Sequence, residues 1–340
     1  MKLFRFVYFL AIIIFVSCDD SPEYTITAVR KVKQADYLAD NNGTIFNLHT
    51  ISSLVHGESS IIVTDSKNYN VYIIDSEFQI QRILNFQDTD YLFSGEIKHI
   101  SKKNNHLFLV DEAWNIKIFD LKNSSLNYFS LHPQIMNQIN NVSFINDSMF
   151  VIGGIISKAY NAPLDNEKIT VGGIYYIDGT LINILKVEYG ELNHKHPFPV
   201  DLSYVTYYKD NIYVCFTFSR RFLVYNEFGD LLKTYTKMEE SPLIELGSQP
   251  YERLGMTIAE YPFHIENDVI SLFEPRGNRD PVYINQYDLN FNLINRYKAD
   301  YILPGTKYGF ILHEKYIIIG ESNPFDRTSI YKFEIIRHGN

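Results

Sequence analysis

The amino-acid sequence predicts an all-β fold, a six-bladed β-propeller of four-stranded blades whose ring is closed by a strand from the N-terminal end. Three observations carry the prediction. A pair of short apolar strands recurs six times, most copies ending on Asp or Glu. The first strand of each pair starts at 61, 107, 149, 212, 270 and 317, giving steps of 46, 42, 63, 58 and 47 residues. A repeat in the low-to-middle forties, built of short strands without helical stretches, is the period of one propeller blade.

The copies run in order along the chain. Ile61-Ile-Val-Thr-Asp65 pairs with Val71-Tyr-Ile-Ile-Asp75, and Leu107-Phe-Leu-Val-Asp111 with Ile116-Lys-Ile-Phe-Asp120. Met149-Phe-Val-Ile-Gly153 pairs with Ile174-Tyr-Tyr-Ile-Asp178, and Ile212-Tyr-Val-Cys-Phe216 with Phe222-Leu-Val-Tyr-Asn226. Ile270-Ser-Leu-Phe-Glu274 pairs with Ile284-Asn-Gln-Tyr-Asp288, and Ile317-Ile-Ile-Gly-Glu321 with Ile330-Tyr-Lys-Phe-Glu334. Innermost strands are expected over runs such as Leu48 to Leu54, Glu96 to Ile100, Asn141 to Ile145 and Leu202 to Tyr208. Outermost strands are expected at Phe78 to Leu84, Leu126 to Ser130, Thr180 to Val187, Asp230 to Tyr235 and Phe291 to Tyr297. The sixth copy has no outermost strand of its own. The β-branched run Tyr24 to Val29 is the spare strand that fills it and removes the open edge.

Bulk properties narrow the class of partner. The 340-residue chain is 46% hydrophobic and 15% aromatic, enough to bury an extensive core. Its net charge of −9 becomes −11 once a leader containing Lys2 and Arg5 is removed, which argues against nucleic acid as a partner. The two cysteines, Cys18 and Cys215, stand in unlike contexts and are not expected to pair. Cys215 lies in the apolar run Ile212 to Phe218 and reads as a buried small hydrophobe.

Residues 1 to 17 carry Lys2 and Arg5, an apolar run from Phe6 to Val16, and Ser17, the pattern of a signal peptide rather than a membrane-spanning helix. The stretch Phe15-Val-Ser-Cys18 resembles the bacterial lipobox, with Phe15 where Leu is usual, and so implies a lipid-carrying Cys18 as the first mature residue. Asp19, Asp20 and Glu23 then resemble the acidic export tag of surface lipoproteins in the Bacteroidota. The expected organisation is leader 1–17, lipidated tether and closing strand 18–42, and propeller 43–340, lipid-anchored in the cell envelope. The membrane face is left open among outer-membrane, periplasmic and surface positions. With its six repeats, the chain resembles the six-bladed propeller lipoproteins of the Bacteroidota, relatives in fold of the NHL and TolB-type propellers. That repeat specifies fold and says little about activity.

Candidate chemistry follows from where loops should emerge. The strand-closing acids Asp65, Asp75, Asp111, Asp120, Asp178 and Asp288 repeat round the ring, as expected of turn-fixing residues that accept backbone amides. His49, His99, His264 and His313 fall on or near innermost strands without sharing one equivalent position, so no metal ring and no cofactor is implied. Two excursions exceed the repeat, Gly154 to Thr170 and Lys237 to Glu260. In an up-and-down blade, the loops between second and third strands and the links between blades share one face, so both excursions should crown one rim. The same rim should carry Trp114, Arg220, Arg221, Arg276, Arg279 and Arg327, with His194 and His196 in the turn-rich Asn193 to Pro199. Arginine's planar fork suits carboxylates, sulfates and phosphates, and Trp114 offers a stacking surface. These arginines either meet a ligand or brace the loops against Glu252, Glu274, Asp280 and Asp326. The leading expectation is a binding module for an anionic saccharide, a peptide or a protein partner. The alternative is a lactonase-like hydrolase or lyase with its site at the channel mouth, which would need His49, His99, His264 and Glu266 to converge.

Overall fold

Strands with both faces covered read as continuous apolar runs, and strands with one face in water alternate. The chain shows both kinds in a fixed order. The computed structural model describes residues 25–56, 60–87, 93–113, 115–130, 138–155, 168–188, 203–216, 222–235, 263–274, 282–299, 306–313, 315–322 and 328–336. A long strand β1 (Thr25–Ala35) and a small hairpin of β2 (Tyr37–Ala39) and β3 (Ile45–Asn47) precede the repeats. Blade 1 is β4 (Ile51–His56), β5 (Ile61–Asp65), β6 (Asn70–Ile74) and β7 (Ile80–Asn85). Blade 2 is β8 (Ile97–Lys103), β9 (His106–Asp111), β10 (Asn115–Asp120) and β11 (Ser125–Ser130). Blade 3 is β12 (Gln138–Phe144), β13 (Met149–Ile155), β14 (Lys168–Tyr176) and β15 (Leu181–Glu188). Blade 4 is β16 (Ser203–Tyr208), β17 (Asn211–Phe216), β18 (Phe222–Asn226) and β19 (Leu231–Tyr235). Blade 5 is β20 (Phe263–Glu266), β21 (Val269–Glu274), β22 (Val282–Asp288) and β23 (Leu293–Ala299). Blade 6 takes β24 (Thr306–Leu312), β25 (Tyr316–Ser322) and β26 (Ser329–Ile335) from the C-terminal end.

The fourth strand of blade 6 is β1, antiparallel to β26 with Val29 opposite Ile335 and Ala35 opposite Ile330. The sequence placed Tyr24 to Val29 in this role, whereas Val29 to Ala35 performs it. The earlier half, Thr25 to Val29, runs parallel to β23, so one continuous eight-stranded sheet joins blades 5 and 6. The residues Arg30, Lys31 and Lys33 looked like tether because an outermost strand turns charged side chains to water. Asp40-Asn-Asn-Gly43, also read as a polar stretch, is the β2–β3 turn. Asp40 accepts the amides of Asn42 at 2.9 Å and Thr44 at 2.8 Å, and Gly43 sits at φ +79.

Six apolar clusters, one for each pair of neighbouring blades, hold the described ring together. Between blades 2 and 3, for example, Phe108 and Ile118 meet Val142 and Phe150, and between blades 4 and 5 Phe222 and Cys215 meet Phe263 and Leu272. The sixth unites Ile318 and Ile330 of blade 6 with Ile51, Leu54 and Val63 of blade 1, sealed by Leu38 of the small hairpin. Neighbouring innermost strands run the same way, since Asn141 bonds the backbone of Val205 while Ser143, two residues on, accepts the amide of Tyr207. Every blade therefore turns from its second to its third strand at one rim, the upper. First-to-second and third-to-fourth turns lie at the lower rim.

The third-to-fourth turns are fixed as the sequence suggests. Asp75 accepts the amides of Glu77 and Gln79 at 2.8 and 2.9 Å, Asp120 those of Lys122 and Asn123 at 2.8 and 3.1 Å, and Asp288 those of Asn290 and Asn292 at 2.9 and 2.8 Å. Asp178 does the same for Thr180, and Asn226 stands in for the acid in blade 4.

Candidate functional site at the upper rim

The upper rim is where second strands end, third strands begin and innermost strands are entered. In blades 1 and 2 the last residue of the second strand is a fully buried aspartate. Asp65 accepts the amides of His49 at 3.2 Å and Thr50 at 3.1 Å and the side-chain amide of Asn68 at 3.1 Å, so it ties the chain entering β4 to the end of β5. The Asn68 side-chain amide also lies 2.8 Å from Nδ1 of His49, which faces the Asn47 carbonyl at 3.1 Å as well. Thr328, at the head of the third strand of blade 6, donates to the His49 carbonyl at 2.6 Å.

Asp111 repeats the device in blade 2. It accepts the amides of Ser94, Ala113 and Asn115 at 3.0, 3.0 and 2.9 Å, and Lys117 Nζ lies 3.4 Å away. Lys117 is itself fully buried, with Nζ 3.6 Å from the centroid of the Phe93 ring. Burial pulls its pKa below the ordinary lysine value, and the Asp111 carboxylate only partly restores it. A lysine inside the apolar run Ile116-Lys-Ile-Phe is the sequence signal for this pair, read in the sequence only as part of a strand.

The innermost strands bend just below the rim. In β4, β8, β12 and β24 the register slips by one residue at corresponding places, with Ser52, Lys98, Asn140 and Tyr308 as the extra residues. Such bulges redirect a strand where it meets a site or a rim. Lys98 is held between Glu96 at 2.9 Å and Glu112 at 3.6 Å. Burial works against its charge, yet the two carboxylates outweigh it and the pKa is raised. This triad, invisible to spacing arguments because its members come from a linker, a bulge and a loop, closes on itself as a brace. Between blades 3 and 4 the buried Ser203 hydroxyl bonds both the amide and the carbonyl of Gly154, at 2.8 and 2.9 Å, and the carbonyl of Val171. It thereby fixes the root of the first excursion.

The sequence-predicted site residues Trp114, His194, His196, Arg220, Arg221, Arg276, Arg279 and Arg327, like Cys18, lie outside the described residues. The strand ends that flank them are described. Phe216 and Phe222, Glu274 and Val282, Ser322 and Ser329, and Asp111 and Asn115 are all second-strand ends and third-strand starts at the upper rim. Ile155 and Lys168 flank the first excursion in the same way. Tyr235 ends a fourth strand and Phe263 begins an innermost one, so the second excursion also leaves and returns at that rim.

The histidines are not gathered. His49 stands at the mouth of blade 1, His99 on β8 of blade 2, and His264 on β20 of blade 5 beside Glu266 at 3.4 Å. His313, after β24, stacks on Tyr316 at 4.4 Å between centroids. Among the described residues no group of three or more His, Cys, Asp and Glu side chains is placed to hold a metal ion. At the lower rim, a cleft of about 280 Å³ between blades 2 and 3 is lined by His106, Asp120, Ser125, Asn127 and Asp178 together with Ile118 and Ile177. Turn amides hold both its carboxylates below the usual range, those of Asn123 and Lys122 acting on Asp120 and that of Thr180 on Asp178.

Comparison with solved structures agrees on architecture. The chain is similar to a protein of Bacteroides fragilis NCTC 9343 described as exported, at 12% identity and a TM-score of 0.50, over 92% of this chain and 100% of that one. It is also similar to the WD40 domain of Pan2 from Neurospora crassa, at 8% identity and a TM-score of 0.50, over 86% and 91% of the two chains. No protein-family model and no curated protein matches the sequence. At such identities the likeness carries the propeller fold and no activity.

Proposed function

We propose that this protein is an exported, lipid-anchored binding module of the cell envelope, related to the six-bladed propeller lipoproteins of the Bacteroidota, whose upper rim receives an anionic saccharide, peptide or protein partner. The observation that carries the reading is topological. Both long excursions, Gly154 to Thr170 and Lys237 to Glu260, and the segments holding Arg220, Arg221, Arg276, Arg279 and Arg327 are all anchored by strand ends at one rim. The lower rim, by contrast, is closed by tight turns such as Lys209-Asp210 and Asn267-Asp268, each with both residues at positive φ. Loops gathered on one side of a rigid scaffold are where recognition groups collect. Arginines there suit a partner rich in carboxylate, sulfate or phosphate.

Replacing Arg220, Arg276 and Arg279 together by Ala should abolish retention on an array of acidic glycans and peptides while leaving the melting temperature nearly unchanged. Parallel loss of retention and fold would identify the arginines as loop braces and end the binding assignment. Lipidation is checked independently by the intact mass of protein extracted from host membranes.

A further inference from the structure

Soluble monomers rarely expose contiguous apolar surface without a use for it. Such a surface lies on the third-to-fourth turns of blades 3 and 4. Phe228, at the tip of the β18–β19 turn, is 66% exposed and Leu232 is 53% exposed, with Leu231 beside them. Tyr176, Leu181 and Ile182 of the β14–β15 turn are exposed on the next blade. The two turns touch, since the Asn183 side-chain amide donates to the Phe228 carbonyl and Gly229 packs against Asn183 and Leu185. These six side chains therefore stand on two adjoining turns, and we treat them as one patch. In blade 1 the corresponding turn buries its aromatic, Phe78, at 3% exposure beneath Lys33 of β1.

The start of β1 tells what covers the patch. Thr25 pairs with Asn295 near the beginning of β23, immediately after the third-to-fourth turn of blade 5, so the described chain begins at the lower rim. Seven residue steps separate Cys18 from Thr25 and span at most about 25 Å. An acyl group on Cys18 therefore keeps a bilayer within about 25 Å of the lower rim, from which the tether departs. We propose that the patch formed by Tyr176, Leu181, Ile182, Phe228, Leu231 and Leu232 is a membrane-docking surface that seats the lower rim on the lipid headgroup region and points the upper rim away from the membrane. This rests on the lipid anchor proposed above. Aromatic and aliphatic side chains at loop tips suit the interface between headgroups and acyl chains. The acids beside the patch, Asp178, Glu227 and Asp230, make zwitterionic rather than anionic lipid the matching surface.

The test uses full-length acylated protein in phosphatidylcholine vesicles, with a polarity-sensitive label on Phe228→Cys or Leu232→Cys and, for comparison, on Lys67→Cys at the upper rim. Cys215 is buried and does not compete for label. Labels at 228 and 232 should shift to the blue and be quenched by aqueous iodide several-fold less than the label at 67, in variants that melt with the wild type. Equal quenching at all three positions on protein whose mass shows acyl chains overturns the docking surface and leaves the anchor standing. A mature mass without acyl chains overturns the anchor and the docking surface with it. Shielding that grows with protein concentration at fixed lipid assigns the patch to a second copy of the chain instead.

Discussion

Lys332, on the third strand of blade 6 and 256 residues from Ser76 in sequence, donates from Nζ to the carbonyl of Ser76 at 3.0 Å. The same group meets Glu77 Oε1 at 2.7 Å, and Lys33 of β1 donates to the Glu77 carbonyl. Outer-strand side chains reach the following blade's third-to-fourth turn elsewhere too: Arg82 bonds the Leu121 carbonyl and Asn183 that of Phe228. The contact at Lys33 is thus the same bond made across the join between the chain's two ends.

Lys332→Met should cost about 1–2 kcal/mol, because it leaves a carbonyl in the seam without its charged donor. Glu77→Ala should cost less than about 0.5 kcal/mol, because that carboxylate is 62% exposed and its ion pair is screened by water. Urea unfolding of the two variants separates these cases, and equal losses would show that the ion pair, not the carbonyl contact, holds the seam.

Asp111→Ala should be among the most damaging single changes in the upper rim, at roughly 3–5 kcal/mol, because it removes the carboxylate facing a buried lysine and frees three amides at once. Adding Lys117→Met to that variant should recover a good part of the loss, since a thioether of similar length fills the space beside Phe93 without a charge. Calorimetry on the single and double variants checks the coupling. A double variant no more stable than the single would mean that the amides, not the lysine, account for the damage.

Leu38→Ala should cost about 2–5 kcal/mol, although it lies in a stretch that reads as a linker. Its side chain is fully buried against Ile51, Tyr72 and Ile330, where it closes the join between the last blade and the first. Denaturant midpoints measure the effect, and a loss below 1 kcal/mol would show that the small hairpin only rests on the ring.

What the sequence made legible follows from burial. Second strands such as β5 and β9 are covered on both faces, so Ile61 to Asp65 and Leu107 to Asp111 stood out as unbroken apolar runs. Outermost strands such as β7 and β19 keep water on one side and shifted by a residue or two from their expected bounds. Residues 30 to 35 were harder still, because Arg30, Lys31 and Lys33 obey the charge pattern of an exposed edge and their partner β26 lies some 300 residues away. At the rim the aspartates were legible as turn-fixers, whereas the Glu96, Lys98 and Glu112 triad was not. Its geometry depends on a bulge, and a bulge leaves no spacing signature.

Acid should unfold the protein in two stages. His99 sits on the innermost strand of blade 2 with Nε2 buried and without a hydrogen-bond partner, and burial lowers its pKa to about 4. A histidine free in the unfolded chain titrates near 6.5, so between these values the unfolded state binds one proton more than the folded state. The contribution of His99 is therefore flat above pH 6.5 and falls as pH drops from 6.5 to 4, by roughly 3 kcal/mol in all. Glu77, lowered chiefly by the Lys332 hydrogen bond, and Asp120 and Asp178, lowered chiefly by turn amides, act below that range. Their folded values lie under the ordinary ones, so their contribution is present above the ordinary carboxylate range and is lost as pH falls through the depressed values. In blade 3 the position of His99 is taken by Asn141, one residue past the same bulge, and Asn141 bonds both the amide and the carbonyl of Val205 at 2.8 and 2.7 Å. His99→Asn should therefore remove the first stage, giving a melting temperature that holds from pH 7 to about 4.5 and then falls with the wild type. A variant curve that still declines between pH 6.5 and 4.5 with the wild-type slope would show that another group takes up the proton.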